Sequence, residues 1–280
     1  HMVEAYNDGP LCSDIELAHH LVHSIETAYY YMEEDRFEEL VTALRPESEV
    51  LAYAANLVRA NIRLFRETGG LQRALPFDSF MELKALFENP YDIAARDLEL
   101  DLWLRFFALR RLALIHRMVA ENPEFTDEDR AVFIGRTLEL TNSALAALER
   151  VVTEFPREDA YANMYRGYLH RDQYLLNIEA GEAEAAVPEN AAAVAAKERF
   201  YTDYKNRYPQ DIVLTRHLGQ EYYLALAEHL DFVQDPIERM MIRTTINSFL
   251  SKLERDSGRQ HVLLAELRAK VAQRSSSGAQ

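Results

Sequence analysis

Five arginines stand where an arginine needs a partner. Arg105, Arg110 and Arg111 interrupt the apolar run Leu102-Trp-Leu-Arg-Phe-Phe-Ala-Leu-Arg-Arg-Leu112, and Arg166 and Arg171 sit among Tyr165, Tyr168 and Tyr174. The aliphatic stem of an arginine is readily buried, but its charge requires an anion or a carboxylate beside it. If the two segments face one groove, their guanidiniums can clamp a phosphate through paired, charge-assisted hydrogen bonds. The alternative is internal pairing with some of the 46 Asp and Glu residues of the chain. The two readings differ in one observable: whether basic side chains converge on a free anion position or are taken up by carboxylates.

Other chemistry finds less support. His19, His20 and His23 lie close to Glu16, and Glu16/His20 and His19/His23 are spaced four apart, one helical turn. Glu16-Leu-Ala-His19 matches half of the Glu-x-x-His pattern of di-iron bundles, which needs a second such motif and two further glutamates. No other histidine has a glutamate three residues before it, so the cluster reads as structural and no metal or other cofactor is expected. There is no Gly-x-Ser-x-Gly elbow, Cys12 is the single cysteine, and Gly69-Gly70 lacks the Gly-Lys-Ser continuation of a phosphate loop. Acidic runs such as Glu33-Glu34-Asp35 read as solvated helix faces. The tyrosines of Tyr29-Tyr-Tyr31, Tyr201 to Tyr208 and Tyr222-Tyr223 could stack a ligand but read first as helix-packing residues. The chain is therefore expected to bind and not to catalyse.

The elements that must position these residues are helices. Apolar residues recur at spacings of three and four almost throughout, beginning with Leu17, Leu21, Ile25 and Ala28 from about Asp14. A second helix opens at Arg36, and a third runs from Val50 to Arg66 before Gly69-Gly70. A shorter one lies between Leu71 and Asn89, and a long one runs from Tyr91 to Glu121. Thr126, followed by Asp127-Glu-Asp129, fits an N-cap with an acidic first turn, opening a helix to Phe155. Further helices are expected over Arg157–Ala180, Pro188–Arg207, Pro209–Leu230, Pro236–Arg255 and Gln260–Gln273, before a polar, disordered tail from Ser275. No segment alternates with period two, and nine glycines and nine prolines are too few for a turn-rich sheet protein. The expected class is all-α: an antiparallel bundle of about nine to eleven helices in a single domain over residues 3–273. Thr141 to Arg171 resembles one tetratricopeptide unit, but no 34-residue repeat is established.

Charge narrows the partners. A net charge of −15 disfavours nucleic acid as a ligand, while leaving room for a local basic pocket. No apolar run reaches the roughly 18–20 residues of a membrane span, no secretory leader stands at the start, and the lone cysteine suits a reducing compartment. Cytoplasmic residence is the expectation.

Several segments resemble the 14-3-3 family of dimeric phosphopeptide adaptors. Glu34-Asp-Arg-Phe-Glu-Glu-Leu40 resembles its early Glu-Arg-Tyr-Asp-Asp-Met signature. Arg96-Asp-Leu through Arg110-Arg111 resembles its third helix, Asp159 to Glu182 its fifth, Arg216 to Glu228 its seventh, and Asp235-Pro236 to Leu253 the next. The similarity covers about residues 15–45 and 95–270, leaving 46–94 as a helical insertion. The resemblance implies an adaptor that binds phosphoserine- or phosphothreonine-containing proteins in a concave groove. It also implies a homodimer through the N-terminal helices, where Leu17, Leu21, Ile25 and Tyr29 form an apolar stripe. The phosphopeptide-binding residues it implies are Arg110, Arg111, Arg166, Arg171 and Tyr174, with Arg111 and Arg171 best matched. The family's lysine falls on Leu104, Asp172 follows Arg171 where tyrosine is expected, and the groove asparagine is replaced by Glu221 or Gln220. The alternative is a phosphate-independent helical scaffold with a degenerate phosphate pocket.

Overall fold

The computed structural model describes residues 13–30, 39, 41–42, 44, 48–69, 71, 73–88 and 97–257. Helix covers 85% of these residues and no strand occurs among them, so the chain is all-α. Of the helix expected from Arg36 only Glu39, Val41 and Thr42, all helical, and the buried Leu44 are described, and the helix over Gln260–Gln273 and the tail lie outside the described residues. Read from the sequence as one domain, the chain divides in the structure into two compact units, His1–Arg157 and Glu158–Gln280, and each is described by itself.

In the first unit α1 (Asp14–Tyr30), α2 (Glu49–Glu67), α3 (Phe77–Glu88), α4 (Leu98–Ala120) and α5 (Asp127–Glu154) follow in order. Their starts are set by side chains that satisfy the free amides of the first turn. Ser13 and Glu16 cap α1 reciprocally, Ser48 accepts from the Leu51 amide, and Asp97 accepts from the Leu100 amide at 3.0 Å. Thr126 caps α5 as the sequence predicts, and Asp129 bonds back to close a capping box. Helix α4 is packed by α1, α2, α3 and α5. That explains its composition: a helix apolar over most of its circumference must be largely surrounded. Trp103, Phe106, Phe107 and Ile115 are fully buried along it. Helix α5 buries one stripe only, Leu140, Ala144, Leu148 and Val151, at spacings of four, four and three.

Two of these elements modify the sequence reading. Helices α2 and α3 fill most of the segment 46–94, and Leu51, Leu57, Leu64 and Leu83 on them belong to the buried core. Leu17 and Leu21, the first half of the stripe expected to pair two subunits, are buried within the chain, where α1 packs on α2 and α4.

The second unit is α6 (Asp159–Glu179), α7 (Ala183–Arg207), α8 (Ile212–His229) and α9 (Pro236–Ser257), each packed on the next. Connections this short between touching helices make antiparallel neighbours. Gly181, at φ +77°, terminates α6 in the left-handed conformation that glycine adopts without steric cost. Helix α7 begins at Ala183, five residues before the Pro188 expected to open it, and Pro188 lies inside the helix. Because it sits only six residues in, the proline removes a single backbone bond near an end that is under-bonded anyway. Two mid-helix glycines, Gly167 and Gly219, sit at close helix contacts. A Cβ on Gly167 would lie 2.6 Å from Cγ of Lys197, and one on Gly219 would lie 3.0 Å from the ring of Phe249 and 3.1 Å from that of Tyr201. The absent side chain at Gly167 lets the following helix α7 approach, and that at Gly219 admits both the following α9 and the preceding α7.

Candidate functional site

The chemistry of the second unit concentrates where α6, α7 and α8 meet. Arg171 on α6 donates from Nε to Oε2 of Glu228 at 3.1 Å and from Nη2 to Oε1 at 2.9 Å. Both carboxylate oxygens of Glu228, which is 1% exposed, are thereby committed. Close by, Lys197 on α7 donates from Nζ to Oε2 of Glu221 on α8 at 2.8 Å. The same ammonium lies 4.4 Å from the ring centroid of Tyr168, and its stem fills the space left by Gly167.

These groups set one another's charge. Burial opposes the charge on Arg171, but the hydrogen bonds and field of Glu228, with Glu221 and Asp172 behind, raise its pKa further above the usual range. Burial alone would raise Glu221, yet Lys197, Arg171 and His217 outweigh it and hold the carboxyl at about 2. Burial pushes Lys197 down; Glu221 works against that and Arg171 with it. Three carboxylates, Asp172, Glu221 and Glu228, thus act on two cations. The result is an internal ion network with more carboxylates than cations rather than a basic hollow.

The arginines named from the sequence fall in both units. In the second, Arg166 donates from Nη1 to Asp159 at 2.6 Å and to Oδ1 of Asn163 at 3.1 Å, while Tyr174 is buried, edge-on to Phe232 at 5.9 Å. In the first, Arg105 is bonded to Asp101 one turn earlier at 2.9 Å, Arg111 is buried with its guanidinium 5.9 Å from the Phe65 ring, and Arg110 is half-buried. Arg110 and Arg111 therefore belong to one unit, and Arg166, Arg171 and Tyr174 to the other.

The remaining constellations resolve into packing. His19 stacks on His23 at 6.1 Å with its Nε2 3.7 Å from Asp97, and His23 meets Trp103 edge-on at 5.0 Å. Among the described residues no group of His, Cys, Asp and Glu is placed to hold a metal ion, and no helix is long and apolar enough to cross a membrane. Tyr201, Tyr222, Tyr223 and Phe249 form one aromatic stack beside Gly219, and the Tyr222 hydroxyl donates to Glu198.

Sequence reasoning did not single out Lys197 or the partner role of Glu228. Only the isolated Gly167 inside a helical pattern could have flagged the crossing. That glycine is directly testable. Gly167→Ala should destabilise the protein by about 1–2 kcal/mol, because overpacking against a pinned lysine stem exceeds the helix-propensity gain of alanine. Gly135→Ala, with nothing within 4 Å of the added methyl, should instead stabilise by about 0.5–1 kcal/mol. Urea denaturation followed by circular dichroism measures both.

Comparison of the chain with protein-family models, curated proteins and solved structures gives no match.

Proposed function

We propose that this protein is a non-catalytic helical scaffold that recognises partner proteins without requiring phosphate. The observation that carries this reading is the two-pronged bond between Arg171 and the buried Glu228. A phosphate-binding arginine must offer its guanidinium fork to an incoming anion, and the Nε–Nη2 edge of this one is already taken by an internal carboxylate. Arg166 is engaged by Asp159, and Lys197, whose charge Arg171 feels, by Glu221. Displacing Glu228 would strand its charge in the interior, a cost of several kcal/mol. In this reading the chain is a 14-3-3-like adaptor whose phosphate position is filled from within.

The competing reading is phosphopeptide binding through Arg110, Arg111, Arg166, Arg171 and Tyr174. A phosphoserine peptide library and its unphosphorylated twin, compared by fluorescence polarisation, separate the two. The scaffold reading expects no phosphate-dependent gain in the parent protein. A ten-fold preference for the phosphorylated set, lost in Arg171→Ala, would establish the competitor. Cytoplasmic residence and a homodimer remain companion proposals; a dimer would have to use surface other than Leu17 and Leu21, and light scattering at micromolar concentration tests it.

A further inference from the structure

We propose that the aromatic surface at the start of α3 and α5, in the first unit, docks a basic amphipathic segment of a partner protein. It rests on the scaffold reading for the class of ligand, a protein segment. It is carried by a different surface, so its failure leaves the phosphate comparison untouched.

The surface is a phenylalanine cluster open on one side. Phe80, buried, meets His116 edge-on at 4.9 Å and Phe133 at 5.5 Å. Phe133 stacks on Phe125 at 5.3 Å with planes 4° apart, and Phe125 meets Phe77 at 5.9 Å. The rings thus pass from the core to the surface, where Phe77 is 45% exposed and Met81, one turn further along the same face of α3, is 50% exposed. Val132, beside Phe133 on α5, is 71% exposed. Rigid rings held by the core and topped by a methionine give an adaptable apolar contact whose ordering cost is already met.

The rim supplies the sign of the partner. Asp78, Glu121, Glu124, Asp127 and Glu128 are exposed and form no ion pair among the described residues. Of the cations nearby, Lys84 pairs with Glu88 and Arg136 with Glu139, while Arg130 bonds the neutral Ala120 carbonyl and leaves one positive charge against five carboxylates. An apolar centre in a rim of unmatched carboxylates complements a helix with apolar anchors and lysine or arginine on its flanks. The same rim repels anionic lipid and nucleic acid.

The test uses the full chain and two synthetic amphipathic helices of about 18 residues, one of leucine and lysine and one of leucine and glutamate, followed by fluorescence anisotropy. The lysine peptide should bind and the glutamate peptide should not. Phe77→Ser and Met81→Lys should each weaken binding about ten-fold, the scale of a central anchor. Glu121→Gln with Glu124→Gln should weaken it several-fold and flatten its salt dependence. Should Phe77→Ser lose its helical signal, Met81→Lys, at a half-exposed position, carries the reading. Equal affinity for both peptides, no binding of the lysine peptide, or affinity unchanged by Met81→Lys would overturn the proposal. So would a dimer that Met81→Lys dissolves, since the occupant would then be a second copy of the chain.

Discussion

Arg171→Ala is expected to lower the stability of the second unit by about 3–5 kcal/mol, the cost of leaving a buried carboxylate without its partner. Glu228, 1% exposed, receives both of the bonds described above from Arg171 and would have no solvent to replace them. Removing both charges together should cost far less. Arg171→Met combined with Glu228→Leu fills similar volume without desolvating an ion, and such replacements are often neutral or stabilising. Denaturation midpoints from circular dichroism at 222 nm, with the single variants completing a double-mutant cycle, give the coupling directly. A coupling energy near zero would show that Arg171 and Glu228 act independently, contrary to this reading.

Why the sequence points to Arg171 and not to Glu228 follows from the same pair. An arginine in a tyrosine-rich helix is conspicuous, because its type contradicts its surroundings. Glu228 is one of 46 acidic residues and stands 57 positions away, so only the tertiary packing of α8 on the rest of the unit selects it. The helices themselves were legible because apolar spacing of three and four is a local signal, and the Thr126 cap was legible because its partner Asp129 is three residues off. Pro188 misled because a proline signals a helix start only statistically, and the chain before it, Ala183-Glu-Ala-Ala-Val187, is itself helix-favouring. The histidine cluster was visible as a cluster, yet the environment of His23 depends on Trp103, eighty residues further on.

That environment underlies the second prediction. Burial against Trp103 and Phe107, reinforced by His19 and His20, lowers the pKa of His23 from 6.5 to about 4. The folded state therefore binds a proton less readily than the unfolded chain between these values. Stability is complete above pH 6.5 and declines as pH falls toward 4. Over that interval of about 2.5 pH units, at roughly 1.36 kcal/mol each, the loss from this one group approaches about 3 kcal/mol. His116, whose pKa burial also lowers, adds in the same direction. Trp103, the single tryptophan, lies 5.0 Å from the His23 ring and reports unfolding of this unit by fluorescence. Urea midpoints should fall between pH 7 and pH 4.5 in the parent protein and fall distinctly less in His23→Phe. Parallel slopes in the two proteins would remove His23 as the cause.

The paired charges between α6, α7 and α8 also decide which neighbours these helices accept while the chain is still searching for its fold. Two apolar helix faces can slide past one another by a turn, about 5.4 Å, and find nearly equivalent packing. A slide of α8 along α7 by that distance would separate Glu221 from Lys197 and carry Glu228 away from Arg171 on α6, leaving four ions unmatched. The network thus acts as a ratchet with a single tooth, rejecting shifted arrangements that oily contacts alone would tolerate.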